Sequence, residues 1–332
     1  MAENKGILVV GEVAEGKLLP ITAELLGAGR RLADELKEQL NCILIGDKVG
    51  DVAKNAVAAG ADKVYVTEDA QLKDYQTDTY MLVMDKAVND IVPRIIIMGQ
   101  TSIGRDLAPR LAFKLGVSTI MDCLELAIDP ATKFMNCTRP VYGGNARATF
   151  TSEALPQIAT VRQKAMSPIA ADAARKGDVV AFQVAMDASR IRAKVLEVIK
   201  EEVAGVKLED AQVVIAGGRG LAGPEPFQKD LADLAKALKG AVGASRPPCD
   251  NKWVPDSIQI GLTGKIIAPE LYIAIGISGS SQHMSGCSGS KCIVAINKDP
   301  EANIFKEARF GVVGDWKAIF PAFAQKIKEL LQ

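Results

Sequence analysis

The single histidine of this 332-residue chain, His283, lies in ISGSSQHMSGCSGSK, where six of the thirteen residues from Ser278 to Ser290 are serine and three are glycine. Such a run cannot fill a core, yet it separates two apolar, strand-like segments, ELYIAIGIS and CIVAIN. A loop of this kind offers backbone N–H groups and hydroxyls that approach an anion closely. Comparable chemistry follows each strand-like segment of the second half. VVIA is followed by Gly217-Gly218-Arg219-Gly220, AVGA by Ser245-Arg246, and DSIQI by Gly261-Leu262-Thr263-Gly264-Lys265. LYIAIGI runs into Ser278 through His283, and the last two strands end at Asn297-Lys298-Asp299 and Asp315-Trp316. Any one of these reads as an ordinary turn. Six on one edge describe a long polar ligand, because open parallel sheets bind ligands outside the carboxyl ends of their strands.

Gly218-x-Gly220-x-x-Gly223 matches the dinucleotide fingerprint, a weak signal on its own. An NAD site also wants an acidic residue about twenty positions on, for the ribose. Ser245 and Arg246 stand there instead and suit a phosphate or an anionic ring. A lone arginine at a turn reads as a solvated charge; Arg219, bracketed by glycines, has a backbone that can close on a ligand. His283 reads equally as a spectator in a polar loop, and Trp316 as a cap on the core or a stacking surface. There is no second histidine, no P-loop and no G-x-S-x-G elbow. None of the six cysteines forms a CxxC pair, so they read as reduced, buried thiols rather than metal ligands. The site is built to hold and tune a cofactor.

The elements that carry these loops are α/β in pattern. GILVVGE, NCILIG, KVYVTE and RIIIMG are strands without polar alternation, separated by helical segments 20–40, 51–61 and 78–91. That pattern indicates a parallel sheet covered on both faces. Residues 118–162 have more β-type patterning, MSPIAADAARKGDVV reads as a polar connection, and RIRAKVLEVI as one more strand. The second half restarts as a doubly wound sheet of about six strands with a closing helix, WKAIFPAFAQKIKELL. Two domains result, each a mostly parallel sheet flanked by helices: residues 1–204 and 205–332. Forty basic residues balance forty acidic ones, which gives no electrostatic basis for general nucleic-acid or membrane binding. The apolar runs are strand-sized, and MAENKGILVVGEV lacks the order of a secretory signal or transit segment, so a cytoplasmic protein is expected.

PELYIAIGISGSSQHMSG followed by KCIVAINKDPEANIFKEARFGVVGDW closely resembles the C-terminal flavin-binding segment of the electron transfer flavoprotein alpha subunit. VVIAGGRG, VGASRP and IGLTGKIIAPELY are similar to that family's upstream motifs, in order. GQTSIGRDLAPRLA and TRPVYGGNARA extend the likeness more loosely into the first half. The resemblance implies a heterodimer with a beta subunit contacted by the N-terminal domain, and FAD in the C-terminal domain. It implies that Arg219 and Ser245 serve the pyrophosphate and ribityl region and that Arg246 lies against the flavin ring. Ile260, Gly261, Leu262, Thr263 and Gly264 would form a loop with Thr263 near the ring's reactive nitrogen edge. Ser278, Gly279, Ser280, Ser281, Gln282 and His283 would line phosphates and ring, with His283 as a polar or positive group near the pyrimidine carbonyl. Asn297, Asp315 and Trp316 would hold the adenosine end. Family members commonly carry Gln where this chain has Leu262, so contacts at that loop and the flavin potential are expected to differ.

The function implied is a redox carrier with no substrate bond chemistry of its own. A cation about 4 Å from a developing charge at an effective dielectric near 20 is worth roughly 4 kcal/mol, which points to Arg246 as the main tuning group. Two partner systems remain open. One takes electrons from an acyl-CoA dehydrogenase and passes them to a quinone-linked oxidoreductase. The other is flavin-based electron bifurcation, with NADH oxidised at a second FAD in the beta subunit and ferredoxin as one acceptor; a conventional beta subunit would carry AMP instead. TRPVYGGN and the thiol-rich composition resemble members from anaerobes, which favours bifurcation. The rival classes are an NAD-dependent oxidoreductase subunit and a non-redox dinucleotide-binding scaffold.

Overall fold

A computed structural model of the chain describes residues 3–144, 146–198 and 206–331. It divides into two units, residues 1–140 with 147–199 and residues 141–146 with 200–332. The expected boundary at 204/205 lies outside the described residues.

The first unit opens with β1 (Ile7–Gly11), α1 (Pro20–Leu36), β2 (Leu40–Gly46), α2 (Ala53–Ala58), β3 (Lys63–Glu68), α3 (Thr77–Ile91) and β4 (Ile95–Gly99). Then come α4 (Ser102–Leu115), β5 (Thr119–Cys123), β6 (Glu125–Ile128), β7 (Met135–Val141), β8 (Ala146–Thr151), β9 (Gln157–Val161) and β10 (Asp178–Ala181). Seven strands form one parallel sheet in the order β10-β3-β2-β1-β4-β9-β5, and β8-β7-β6 form a separate small sheet. β1, β2 and β4 are buried along their whole length, which is why their sequences show no polar alternation. Their side chains still alternate between two cores. Ile7, Val9, Cys42 and Leu44 pack under α1 and α2, while Leu8, Val10, Ile43 and Ile45 pack under α3 and α4.

Two expectations here are corrected. The stretch read as a polar connection contains β10, a four-residue edge strand paired parallel with β3. Its residues, Val179 and Val180 among them, are all exposed, and four residues are too few to show a strand's periodicity. Residues 191–198, read as a strand, have no regular structure. The Arg192 N–H donates to Asp78 Oδ2 at 3.0 Å, and this diverts the backbone from any ladder.

The second unit contains β11 (Val213–Gly217), a π-helical turn at Phe227–Leu231 leading into α5 (Ala232–Ala237), β12 (Ala241–Ala244) and α6 (Arg246–Asp250). It continues with β13 (Leu271–Ile275), α7 (Ser281–Met284), β14 (Cys292–Asn297), α8 (Ile304–Glu307), β15 (Phe310–Val313) and α9 (Trp316–Leu330). The parallel order is β12-β11-β13-β14-β15. Alternate residues again feed two cores: Val214, Tyr272 and Ala274 on one face, Ile215, Ile273 and Ile275 on the other. The sheet is doubly wound as expected but has five strands. DSIQIG is a 3-10 turn at Asp256–Ile258 followed by isolated bridges, because the Gln259 carbonyl accepts from Lys265 N (2.6 Å) and closes a loop. α9 leans on the second core through Trp316, Phe320, Phe323 and Ile327, an i, i+4, i+7, i+11 stripe.

Candidate functional site

Counted from its own first strand, the second sheet runs 2-1-3-4-5, which places a topological switch point between β11 and β13. Beyond the carboxyl ends of those two strands opens a cavity of about 750 Å³, within the range of cofactor sites. The two loops at its base touch through backbone alone. Gly218 N donates to Ile275 O (2.9 Å) and Gly220 N to Gly276 O (3.1 Å). A Cβ on Gly218 would lie 2.7 Å from the Gly276 carbonyl carbon, and one on Gly220 2.9 Å from Gly276 Cα. Gly276 itself sits at φ +63, in the left-handed region. Glycine at these positions lets the two loops meet backbone to backbone at the base of the cavity.

β12 supplies the next wall. Ser245 and Arg246 line the cavity, and Arg246 opens the short helix α6. Arg246 Nε pairs with Asp250 Oδ2 at 3.2 Å, one helical turn on, with side chains 65% and 59% exposed. Asp250 also lines the cavity and was not anticipated, although its i, i+4 spacing from Arg246 was available in the sequence. Arg219 lines the opposite side and makes no ion pair among the described residues. Lys298 and Asp299 lie in the lining too. Three cations against two carboxylates leave the site one charge positive, suited to an anionic ligand.

The loop after Gln259 is clamped at both ends. Ile260 N donates to Ala244 O (2.8 Å) and Leu262 N to Gln282 O (2.8 Å). Gly261 takes φ +144, and its Cα would stand 2.5 Å from a Cβ on Gly286. Ile260, Gly261, Leu262 and Thr263 all line the cavity, with the Leu262 side chain 55% exposed. Gly264 does not. It turns inward, where a Cβ would meet the Gln259 carbonyl carbon at 2.8 Å. Gln259 Nε2 donates to Thr263 Oγ1 (3.0 Å). Gln259 and Gln282 line the cavity, so carboxamides flank Leu262 although none stands at 262.

After β13, Ser278, Ser280, Gln282 and His283 line the cavity. Gly279 (φ +77) instead packs against Ile304, and it shares a separate hollow of about 390 Å³ with Ser281. Asn297 lines the cavity, but its side chain bridges Ile277 O (2.8 Å) and Asp299 N (3.0 Å). Asp315 and Trp316 stay outside the lining. The Asp315 carboxylate accepts from Lys317 N (2.9 Å) and caps α9, and Trp316 Nε1 donates to Gly220 O (3.1 Å). The Asp315 carboxylate is engaged in capping α9, and the Trp316 indole in holding that helix to the β11 loop.

His283 is expected as a polar or a positive group, and its surroundings favour the former. Its ring is 5% exposed, and burial pushes its pKa down to about 4 against the raising effect of the Ile260 carbonyl. Nδ1 lies 3.1 Å from Ile260 O and Nε2 2.8 Å from the Tyr272 hydroxyl. It enters the site as a neutral imidazole, not a cation. All six cysteines are free and five are buried; among the described residues no group of His, Cys, Asp or Glu could hold a metal ion. No helix of the described residues is long and apolar enough to cross a membrane.

The electron transfer flavoprotein domain model matches residues 7–187, and the electron transfer flavoprotein FAD-binding domain model matches residues 207–288. The latter segment includes the β11 loop, Arg246, the 260–264 loop and His283. The chain is 41% identical to the electron transfer flavoprotein subunit alpha of Thermoanaerobacterium thermosaccharolyticum, over 99% of this chain and 100% of that one. It is also 41% identical to the subunit of the same name from Megasphaera elsdenii, over 99% and 98%. The acryloyl-CoA reductase electron transfer subunit beta of Anaerotignum propionicum is 36% identical, over 98% and 96%. The chain belongs to the electron transfer flavoprotein alpha-subunit family, whose members normally pair with a beta subunit.

Proposed function

We propose that this chain is the FAD-carrying alpha subunit of a heterodimeric electron carrier, with FAD along the cavity at the β11/β13 switch point. The observation that carries this reading is the cavity at the switch point, lined by Gly220 and Gly276 together with Arg219 and Arg246. Arg219 would hold the pyrophosphate, Arg246 would stand against the ring, and the clamped 260–264 loop would close over it. FAD supplies the one- and two-electron chemistry. The chain's residues bind it, exclude water from one face and set the charge around it. Arg246 acts with Asp250 as a pair, so the positive charge it presents is reduced by that carboxylate. With Asp315 and Trp316 committed to α9, the adenosine end falls to the Ser278–Ser280 and Asn297–Asp299 loops. The N-terminal unit presents Phe113, 88% exposed, as a surface for a partner chain.

Acyl-CoA-type oxidoreductases are the redox partners this reading favours, supported by the similarity to an acryloyl-CoA reductase electron transfer subunit. The bifurcating form would serve NADH and ferredoxin through a second FAD in the beta subunit. The carrier form would place AMP there. A cytoplasmic site of action suits either. The test is to purify the heterodimer and count flavin: one FAD per dimer identifies a carrier and two a bifurcating complex. A colourless complex that stays so with added FAD refutes the proposal.

A further inference from the structure

Tyr272 and His283 share the wall between the cavity and the apolar core beneath it. Tyr272 is fully buried on β13, and a hydroxyl there requires a partner. Its partner is His283 Nε2 at 2.8 Å, while Nδ1 faces Ile260 O at 3.1 Å. A carbonyl only accepts, so the neutral ring carries its proton on Nδ1, and the Tyr272 O–H donates to the bare Nε2. The remaining titratable groups on this wall are Cys287, whose thiol lies 3.6 Å from the His283 carbonyl and is also within hydrogen-bonding reach of the Tyr272 hydroxyl, and Glu307, which bears on Cys287. Arg219, Arg246, Asp250, Lys298 and Asp299 are the charged residues lining the cavity it borders.

We propose that Tyr272 is a positioning residue of the flavin site: its hydroxyl fixes His283 in the Nδ1–H form and serves as the counter-group for Nε2 when the adjacent cofactor becomes negative. This rests on the cavity being the FAD site. While the cofactor is oxidised, His283 adds no charge. When negative charge accumulates beside it, a proton from solvent that binds Nε2 creates an N–H, and the Tyr272 oxygen, with its free lone pairs, turns from donor to acceptor. One proton is taken up, no covalent bond breaks, and the Tyr272 O–H exchanges its hydrogen bond to Nε2 for one to the Cys287 sulfur. With phenylalanine at 272 that N–H would point into hydrocarbon, an unfavourable burial. The imidazole then stays neutral, and the first electron is held less firmly.

His283 is the chain's only histidine, so nitrogen-15 labelling of histidine yields a single imidazole. In the full chain assembled with its beta subunit and oxidised flavin, the expected spectrum shows a protonated Nδ1 and a bare Nε2; an Nε2–H form overturns the assignment. In Tyr272→Phe the FAD count is expected to be unchanged, and the first-electron equilibrium about tenfold less favourable, a fall of about 59 mV. A retained potential overturns the role of Tyr272. Should that variant fail to fold, the wild-type spectrum decides alone. A colourless wild-type complex would refute the FAD reading instead, a result separate from the tautomer observed.

Discussion

Glu12 sits just beyond β1, 8% exposed, with Thr101 donating to its Oε1 at 2.7 Å. Burial raises its pKa from 4.5 to about 7, and the Thr101 hydrogen bond only partly offsets that. Between those two values the native chain holds a proton that the unfolded chain has released. The fold therefore loses stability as pH rises through that window and recovers none above it. At 1.36 kcal/mol per pH unit, the loss from pH 5 to pH 8 is about 2.5 kcal/mol from this residue. Glu12→Gln keeps an oxygen for the Thr101 hydroxyl and removes the charge, so it is expected to stabilise the first unit by about 2–3 kcal/mol at pH 8 and by under about 1 kcal/mol at pH 5. Both tryptophans, Trp253 and Trp316, belong to the second unit, so their fluorescence does not report on the first. Hydrogen exchange of the β1 amides does. Equal protection of β1 in wild type and variant at pH 8 would refute the argument that burial of this carboxylate strains the fold. Glu24, likewise raised to about 7 by burial, leaves a residual slope of the same sign in both proteins.

Three substitutions probe the cavity. Arg246→Ala is expected to lower the first-electron potential of the bound flavin by the equivalent of about 1 kcal/mol, since the pair is largely exposed and screened; spectroelectrochemical titration measures it, and no change removes Arg246 from the tuning role. Asp250→Asn should shift the potential in the opposite direction by releasing the Arg246 charge, so a fall would contradict the pairing. Gly218→Ala introduces a Cβ 2.7 Å from the Gly276 carbonyl carbon. Backbone must move at the switch point, at a cost of about 1–3 kcal/mol, with loss of FAD on gel filtration; a variant that retains flavin and its urea midpoint would dispose of this close contact as a constraint on the site.

Much of the architecture was legible because buried parallel strands declare themselves. Ile95–Gly99 or Cys292–Asn297 can be read from unbroken apolarity, and the polar ends of such strands mark the ligand edge. Elements without that signature were not legible. β10 is four residues long and exposed along its length, too short for its two valines to distinguish it from a connection. Residues 191–198 alternate like a strand, but the Arg192 backbone is bonded to Asp78, a partner 114 positions away. At the site, twelve of the seventeen expected residues line the cavity, and the five that do not share one cause. Gly264 and Gly279 are packed against backbone, Ser281 turns to another hollow, and Asp315 and Trp316 are spent on α9. Strand-end position specifies the edge on which a residue lies, not the direction its side chain takes.

The sequence by itself determined two parallel α/β units, the edge of the second on which the cavity opens, and the family, since these follow from short-range periodicity and long contiguous motifs. Only the tertiary structure decided the charge state of that edge. His283 is held neutral because burial lowers its pKa to about 4, more than the Ile260 carbonyl raises it, and the Arg246 charge is shared because α6 turns Asp250 back upon it. Protonation and pairing depend on desolvation and distance, which exist only once segments remote in the chain have been brought together.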